Sequence, residues 1–311
     1  MILLNLSRLL VAVVMVSGFL FGEQRLLVVS SEFPFQPGNK PVPKWSGGAL
    51  LLLENASGPA VFLQVRDRNG TLSSTVRIAV PDAANVSIRD IARGTEGTIA
   101  ATASAIDVSG RTASFLAIFS PSGEQVRIIR TSPYQPMRVA IASDGTIWTL
   151  GFVHRDPNTK IFRRFDRTGQ SLASFVSESE VTDEGLAIGS VDDMFEPIGE
   201  GGVAWYSPRL RQYIELSANG PVNHISDLAL PHSGQAGFAT TKAGDTYVTS
   251  YGPTEWGLYR LDLNQRAWTP IREDSFAGTG RRSLIQLCGA DSNSLVAWTN
   301  DGRIRFWNIG D

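Results

Sequence analysis

A six-bladed β-propeller built of four-stranded antiparallel blades is the fold this sequence predicts, and three observations predict it. A glycine turn with an apolar or aromatic residue three positions later recurs along the chain. It reads Glu96-Gly97-Thr98-Ile99-Ala100, Asp144-Gly145-Thr146-Ile147-Trp148, Gly201-Gly202-Val203-Ala204-Trp205 and Gly244-Asp245-Thr246-Tyr247, with looser copies around Gly58 and Asn293. Beyond residue 23, short runs rich in Val, Ile, Thr, Phe and Trp alternate with Gly, Asn, Asp, Ser and Pro clusters, and no amphipathic helix intervenes. A second family of turns alternates with the first, at Asn69-Gly70, Ser122-Gly123, Thr168-Gly169, Asn219-Gly220, Asn264-Gln265 and Asp301-Gly302. The mean interval of about 47 residues suits four short strands with their loops. A seventh blade would require Gln24 to Gly47 to hold one.

Taken from the N-terminus, the first element is the apolar run Leu9 to Phe21, preceded by Arg8 and followed by Gly22-Glu23-Gln24. A cation, a short apolar stretch and a small residue before a polar one describe a signal peptide over 1–22, leaving 23–311 as the propeller. The run is shorter than the roughly 20 apolar residues of a membrane span. An uncleaved anchor is the alternative, and no membrane contact beyond this segment is expected. A strand at Leu26 to Ser30 is expected next. It should pair with Arg303 to Ile309 and complete one blade from both chain ends, because either strand alone would leave an open edge.

The turns then set the register. Asn69-Gly70, Asp144-Gly145, Asn219-Gly220 and Asp301-Gly302 suit two-residue hairpins in which both residues take positive φ. Met137 to Trp148 and Met194 to Trp205 share one spacing, with Ile141 and Ile198 in step. That spacing places Ala100, Trp148, Trp205, Tyr247 and Val296 at equivalent second-strand positions, packed between blades.

The phrase Arg138-Val139-Ala140-Ile141-Ala142-Ser143-Asp144-Gly145-Thr146-Ile147-Trp148 resembles the blades of NHL-type and two-component-regulator-type propellers. The resemblance implies a central channel with two unlike rims. Loops leaving each second strand and those joining successive blades share one rim, and the glycine hairpins lie on the other. Gly151 to Lys160, Tyr206 to Gln212 and Ser250 to Gly257 then fall on the first rim, joined by the blade connections Val80 to Asp90, Thr131 to Met137, Val176 to Asp193 and Arg272 to Ser283. No functional residue is carried over from those families.

Composition excludes several function classes. The 311 residues are 42% hydrophobic and 19% charged, with a formal net charge of −2, so nothing draws the chain to nucleic acid. The single Cys288 has no disulfide partner and supports no cysteine zinc cage, and Leu284 to Cys288 reads as a core strand. No Gly-x-Ser-x-Gly elbow, phosphate-cradling loop or His-Glu-x-x-His helix is present.

Two sets of residues are candidates for a site. First-strand starts should line the channel mouth, which offers Asp90, Arg138 and Glu196 to a polar ligand, with His154 and Asp156 on a neighbouring loop; the same charges could equally be structural, neutralising one another around a narrow channel. His154, oriented by Asp156 or Asp90, is the candidate general base, with a plain surface histidine as the simpler reading, whereas His224 and His232 read as blade-connection residues. The second set is acidic: Glu178 to Glu200 holds eight carboxylates and no Lys or Arg. Among them Asp183, Glu184, Asp192 and Asp193 could hold Ca²⁺, which takes six to eight oxygens; a solvated acidic loop is the simpler reading, and no other cofactor is expected. The expected function is an exported binding or scaffold module for a protein or a small polar ligand. The alternative is a Ca²⁺-dependent propeller hydrolase or lyase, with a channel-mouth metal held by Asp90, Glu196, Asp192 or Asp193.

Overall fold

A computed structural model describes residues 28–34, 43–182, 188–190, 192–232, 234, 237–275, 285–291, 294–299 and 301–309. The proposed signal segment, Asp183 and Glu184 lie outside the described residues. Within them the chain forms six antiparallel sheets and no α-helix, and the one helical element is a single 3₁₀ turn at Glu178–Glu180.

Blade 6 is closed by the two chain ends. Strand β1 (Val28–Pro34) is its outermost member, and it waits for a partner through the whole length of the chain. Blade 1 contains β2 (Lys44–Ser46), β3 (Ala49–Leu53), β5 (Val61–Arg66) and β6 (Leu72–Ile78); the short β4 (Ser57–Gly58) sits in the β3–β5 loop. Blade 2 follows as β7 (Ala83–Arg93), β8 (Ile99–Asp107), β9 (Thr112–Phe119) and β10 (Gln125–Arg130), with β4 added to the edge of β7. Blade 3 is β11 (Gln135–Ile141), β12 (Ile147–Phe152), β13 (Lys160–Phe165) and β14 (Ser171–Ser177). Blade 4 is β15 (Met194–Ile198), β16 (Gly202–Ser207), β17 (Gln212–Ser217) and β18 (Gly220–Ile225). Blade 5 is β19 (Gly237–Thr240), β20 (Thr246–Tyr251), β21 (Glu255–Asp262) and β22 (Ala267–Ser275). Blade 6 consists of β23 (Ile285–Asp291), β24 (Ser294–Thr299), β25 (Arg303–Asn308) and β1, which pairs with β25 from Val28↔Asn308 to Pro34↔Arg303.

The first strands β2, β7, β11, β15, β19 and β23 touch in cyclic order and line the channel. Six apolar clusters hold the ring, one at each interface between neighbouring blades. Each blade thus buries both faces, which is why its inner strands carry apolar residues without long continuous runs. At the closing interface Phe33 from β1 packs near Phe306, and Trp45 from blade 1 meets the Phe306 ring edge-on, with centroids 4.9 Å apart. These rings tie the N-terminal strand into the cooperative unit.

Four details of register depart from the sequence expectations. The first-strand hairpin of blade 1 is at Gly47-Gly48; Gly58 lies on the other rim. Gly47 has φ +54, and a Cβ there would come within 2.3 Å of the Gly94 carbonyl, so backbone packs on backbone at this corner. In the four predicted two-residue turns the glycine takes positive φ and the Asn or Asp before it does not. At Asp144-Gly145 the bonds Ala142 N–H to Thr146 O and Gly145 N–H to Ala142 O close a longer hairpin, in which only one residue needs the left-handed region.

The turn glycine of blade 4 is Gly201, at φ +72, one residue earlier than the recurring phrase suggests. An odd slip changes the face of every side chain that follows. Ala100, Trp148, Tyr247 and Val296 do face the following blade. In blade 4, however, Ala204 takes that position and Trp205 turns back to meet Phe162 of blade 3. Finally, Asp301-Gly302 joins the second and third strands of blade 6 and not its third and fourth, because β1 supplies the fourth from the other end of the chain.

Candidate functional site

The rim that carries the second-to-third-strand loops and the blade connections opens into a cavity of about 270 Å³ at the channel mouth. All six first strands, or the residues just before them, contribute to its wall. Its charged lining is Lys44, Arg89, Asp90, Arg138, Asp193 and Glu196, with Gln286 the neutral polar side chain beside them. Its apolar lining includes Leu51, Leu53, Phe195, Phe238 and Leu287.

Backbone irregularity aims several of these side chains. The β7–β8 register jumps from Ile88 to Asp90, the β11–β12 register from Pro136 to Arg138, and the β23–β24 register from Leu287 to Gly289. Arg89, Met137 and Cys288 are therefore the extra residues of three bulges. A bulge leaves one residue out of the ladder and re-aims its side chain, and bulges gather next to binding sites. Arg89 and Cys288 line the cavity. Arg89 Nη1 donates to the Met137 sulfur, so two of the bulges meet.

Lys44 organises the polar wall. Its ammonium lies 3.3 Å from Asp90 Oδ2 and 3.6 Å from Glu196 Oε1, and donates to the Val139 carbonyl at 3.2 Å. Blades 1 and 4 lie opposite in a ring of six, so the Lys44–Glu196 pair crosses the channel. Asp90 is also tied to the backbone, accepting from Val139 N–H and Ile91 N–H, each at 2.9 Å. Burial alone would lower the Lys44 ammonium; the two carboxylates outweigh it, and its pKa ends above the usual lysine value. Burial pushes Glu196 up to about 7, with Lys44 pulling against it and Asp90 adding to it.

The described residues 188–190, just before blade 4, pack against this wall. Arg138 donates to the Ser190 carbonyl at 2.7 Å, and Gly189 sits so close to Met137 that a Cβ would approach its side chain to 2.3 Å. Asp193 accepts from Gly189 N–H; burial raises its pKa, opposed by Ser207 and that amide. Asp192 is exposed. Among the described residues no group of three or more His, Cys, Asp or Glu could hold a metal ion, and Asp183 and Glu184 lie outside them.

The structure thus gathers Asp90, Arg138, Asp193 and Glu196 and leaves His154 and Asp156 apart. Both of the latter are exposed in the β12–β13 loop, and neither lines the cavity. The Asp156 carboxylate caps its own turn, accepting from Asn158 N–H and the Thr159 hydroxyl, and is not spent on orienting His154. His224 lies on β18 and pairs with Gln212, not in a blade connection; His232 does lie in one, against the Tyr259 hydroxyl at 2.8 Å. Lys44 and Arg89 were not legible as site residues. Lys44 would have been, had Gly47-Gly48 been read as the first-blade turn, since it then sits at a first-strand start.

No protein-family model matches this sequence, and no curated protein matches it. Among solved structures, the chain is similar to a glucose dehydrogenase at 10% identity and a TM-score of 0.49, over 90% of this chain and 99% of that one. It is also similar to a chain of a nidogen/laminin complex at 14% identity and a TM-score of 0.44, over 81% and 85%. A functionally unknown protein from Desulfotomaculum acetoxidans DSM 771 aligns at 11% identity and a TM-score of 0.46, over 88% and 86%. The six-bladed architecture is established by the strand pairing itself, and these likenesses carry no statement about ligand or activity.

Proposed function

We propose that this chain is a binding protein whose ligand is a small polar molecule held at the channel mouth by Lys44, Asp90, Arg138 and Glu196. The observation that carries the reading is one open cavity at the channel mouth into which all six blades place residues, with charges of both signs and apolar walls beside them. Pockets of that mixed lining fix a ligand's orientation through a few polar groups and its affinity through apolar area. A volume of about 270 Å³ admits a small molecule and no folded partner. Export belongs to the same proposal, supported by Arg8 and the Leu9 to Phe21 run; cleavage after Gly22 would spare β1, which begins at Val28.

The test is a thermal-shift panel of sugars, amines, amino acids and organic acids against the full chain and an Arg138→Glu/Glu196→Lys variant. One chemical class should raise the melting temperature of the native chain. The doubly reversed protein should keep its β-sheet circular dichroism and lose that response. An equal response from the reversed protein, or none from the native chain, would refute the reading.

A further inference from the structure

Within the proposed ligand site, on which this inference rests, we propose that the ligand is a small organic monocarboxylate, its carboxylate seated on Arg89 and its apolar body against Leu51, Leu53, Phe195 and Phe238. Two of the three cations in this cavity, Lys44 and Arg89, are matched unequally. Lys44 is matched by two carboxylates and a carbonyl. Arg89 has no carboxylate among the described residues. Among the described residues its one hydrogen-bond partner is the Met137 thioether, a weak acceptor, and its Nε is buried with none. Partial burial lowers the Arg89 pKa, and no anion among the described residues opposes that cost.

A guanidinium presents parallel N–H donors that match the two oxygens of a carboxylate, and such a pair is at its strongest where water is scarce. The β7 bulge supplies the aim, since Arg89 is the residue left out of the ladder and pointed into the cavity. The rest of the wall restricts the anion further. Lys44 is already engaged by Asp90 and Glu196 and Arg138 by the Ser190 carbonyl, so a second negative charge on the ligand would stand beside Asp90, Asp193 and Glu196 with both of those cations already engaged. A cavity of about 270 Å³ suits a small ligand. A short aliphatic or single-ring acid satisfies every one of these conditions.

Isothermal titration of the full chain with butyrate, hexanoate and benzoate, with their amides, and with butylamine and glucose tests the assignment. At least one acid should bind, its amide should not, and Arg89→Met should weaken the acid by about tenfold or more. Arg89→Lys should retain part of the affinity, and both variants should melt cooperatively. Losing a half-buried charge with no carboxylate partner among the described residues should leave Arg89→Met at least as stable as the native chain. Acid binding that is unchanged in Arg89→Met overturns the anchor. Binding of the amine or the sugar with every acid silent overturns the carboxylate assignment while leaving the channel-mouth site standing. Silence from all classes removes both.

Discussion

The two ends of the channel use their carboxylates in opposite ways. At the hairpin end Asp144 accepts from the backbone and hydroxyl of Thr146, and with Arg164 these hold its carboxyl below the usual range against partial burial. Asp166 is likewise lowered, by the Thr168 hydroxyl and the Gln170 amide. At the mouth, burial drives Asp193 and Glu196 upward. A carboxylate engaged within its own turn rigidifies a hairpin. One enclosed between blades costs stability, and a chain that keeps it there gains a polar wall in exchange. The hairpin end is the frame, and the mouth is where the frame carries unspent polar groups.

Four measurements would break or sharpen this contrast. The largest effect should come from neither rim but from the closure that holds both. Removing the residues through Pro34 exposes the β25 edge and takes Phe33 from its cluster, so cooperative melting should vanish. A sharp transition in the truncated chain would show that blade 6 closes without β1.

Lys44→Met strands two enclosed carboxylates and should cost about 3–5 kcal/mol in urea unfolding. A cost below about 1 kcal/mol, the worth of an exposed pair, would make the mouth as solvated as the hairpins.

The next effect depends on pH. Burial pushes the Glu196 carboxyl up to about 7 in the folded chain, against 4.5 for the free side chain, so between those values the folded state holds more protons than the unfolded one. Stability contributed by this group is present at the acid end and lost as pH rises through that window. The native chain minus Glu196→Gln should therefore lose up to ~3 kcal/mol between the two values, in urea melts at stepped pH. A flat difference would remove the contrast between the rims.

Smallest is a pair of neighbours at the hairpin end. Gly48 has φ +74 with open space around its Cβ position, so Gly48→Ala should cost about 1–2 kcal/mol, the left-handed penalty alone. Gly47→Ala adds a clash with the Gly94 carbonyl and should cost more, by differential scanning calorimetry. Equal costs would mean the corner relaxes.

Much of this architecture is legible in the sequence because it is local. The turn at Asp144-Gly145 needs only residues within it, and the alternation of buried and polar positions has a period of two wherever the strand lies. Even the closing of blade 6 by the N-terminal strand follows from counting strands. The face of Trp205 is not legible, since a one-residue change in the preceding turn reverses it and both readings look equally regular. The site is harder still. Asp90, Arg138 and Glu196 could be placed because first strands line the channel, although Asp90 stands well inside β7 and not at its start, whereas Arg89 reaches the cavity because a bulge takes it out of the ladder.

The amino-acid order by itself determined a ring of small sheets, most of its turns and how the ends meet, because hydrophobic period and turn chemistry act over a few residues. Only the tertiary structure decided that Lys44 spans to Glu196 across the channel and that Arg89 faces the cavity with no counter-charge among the described residues. Charge matching of that kind is set by distances between strands far apart in the chain, and no local pattern encodes it.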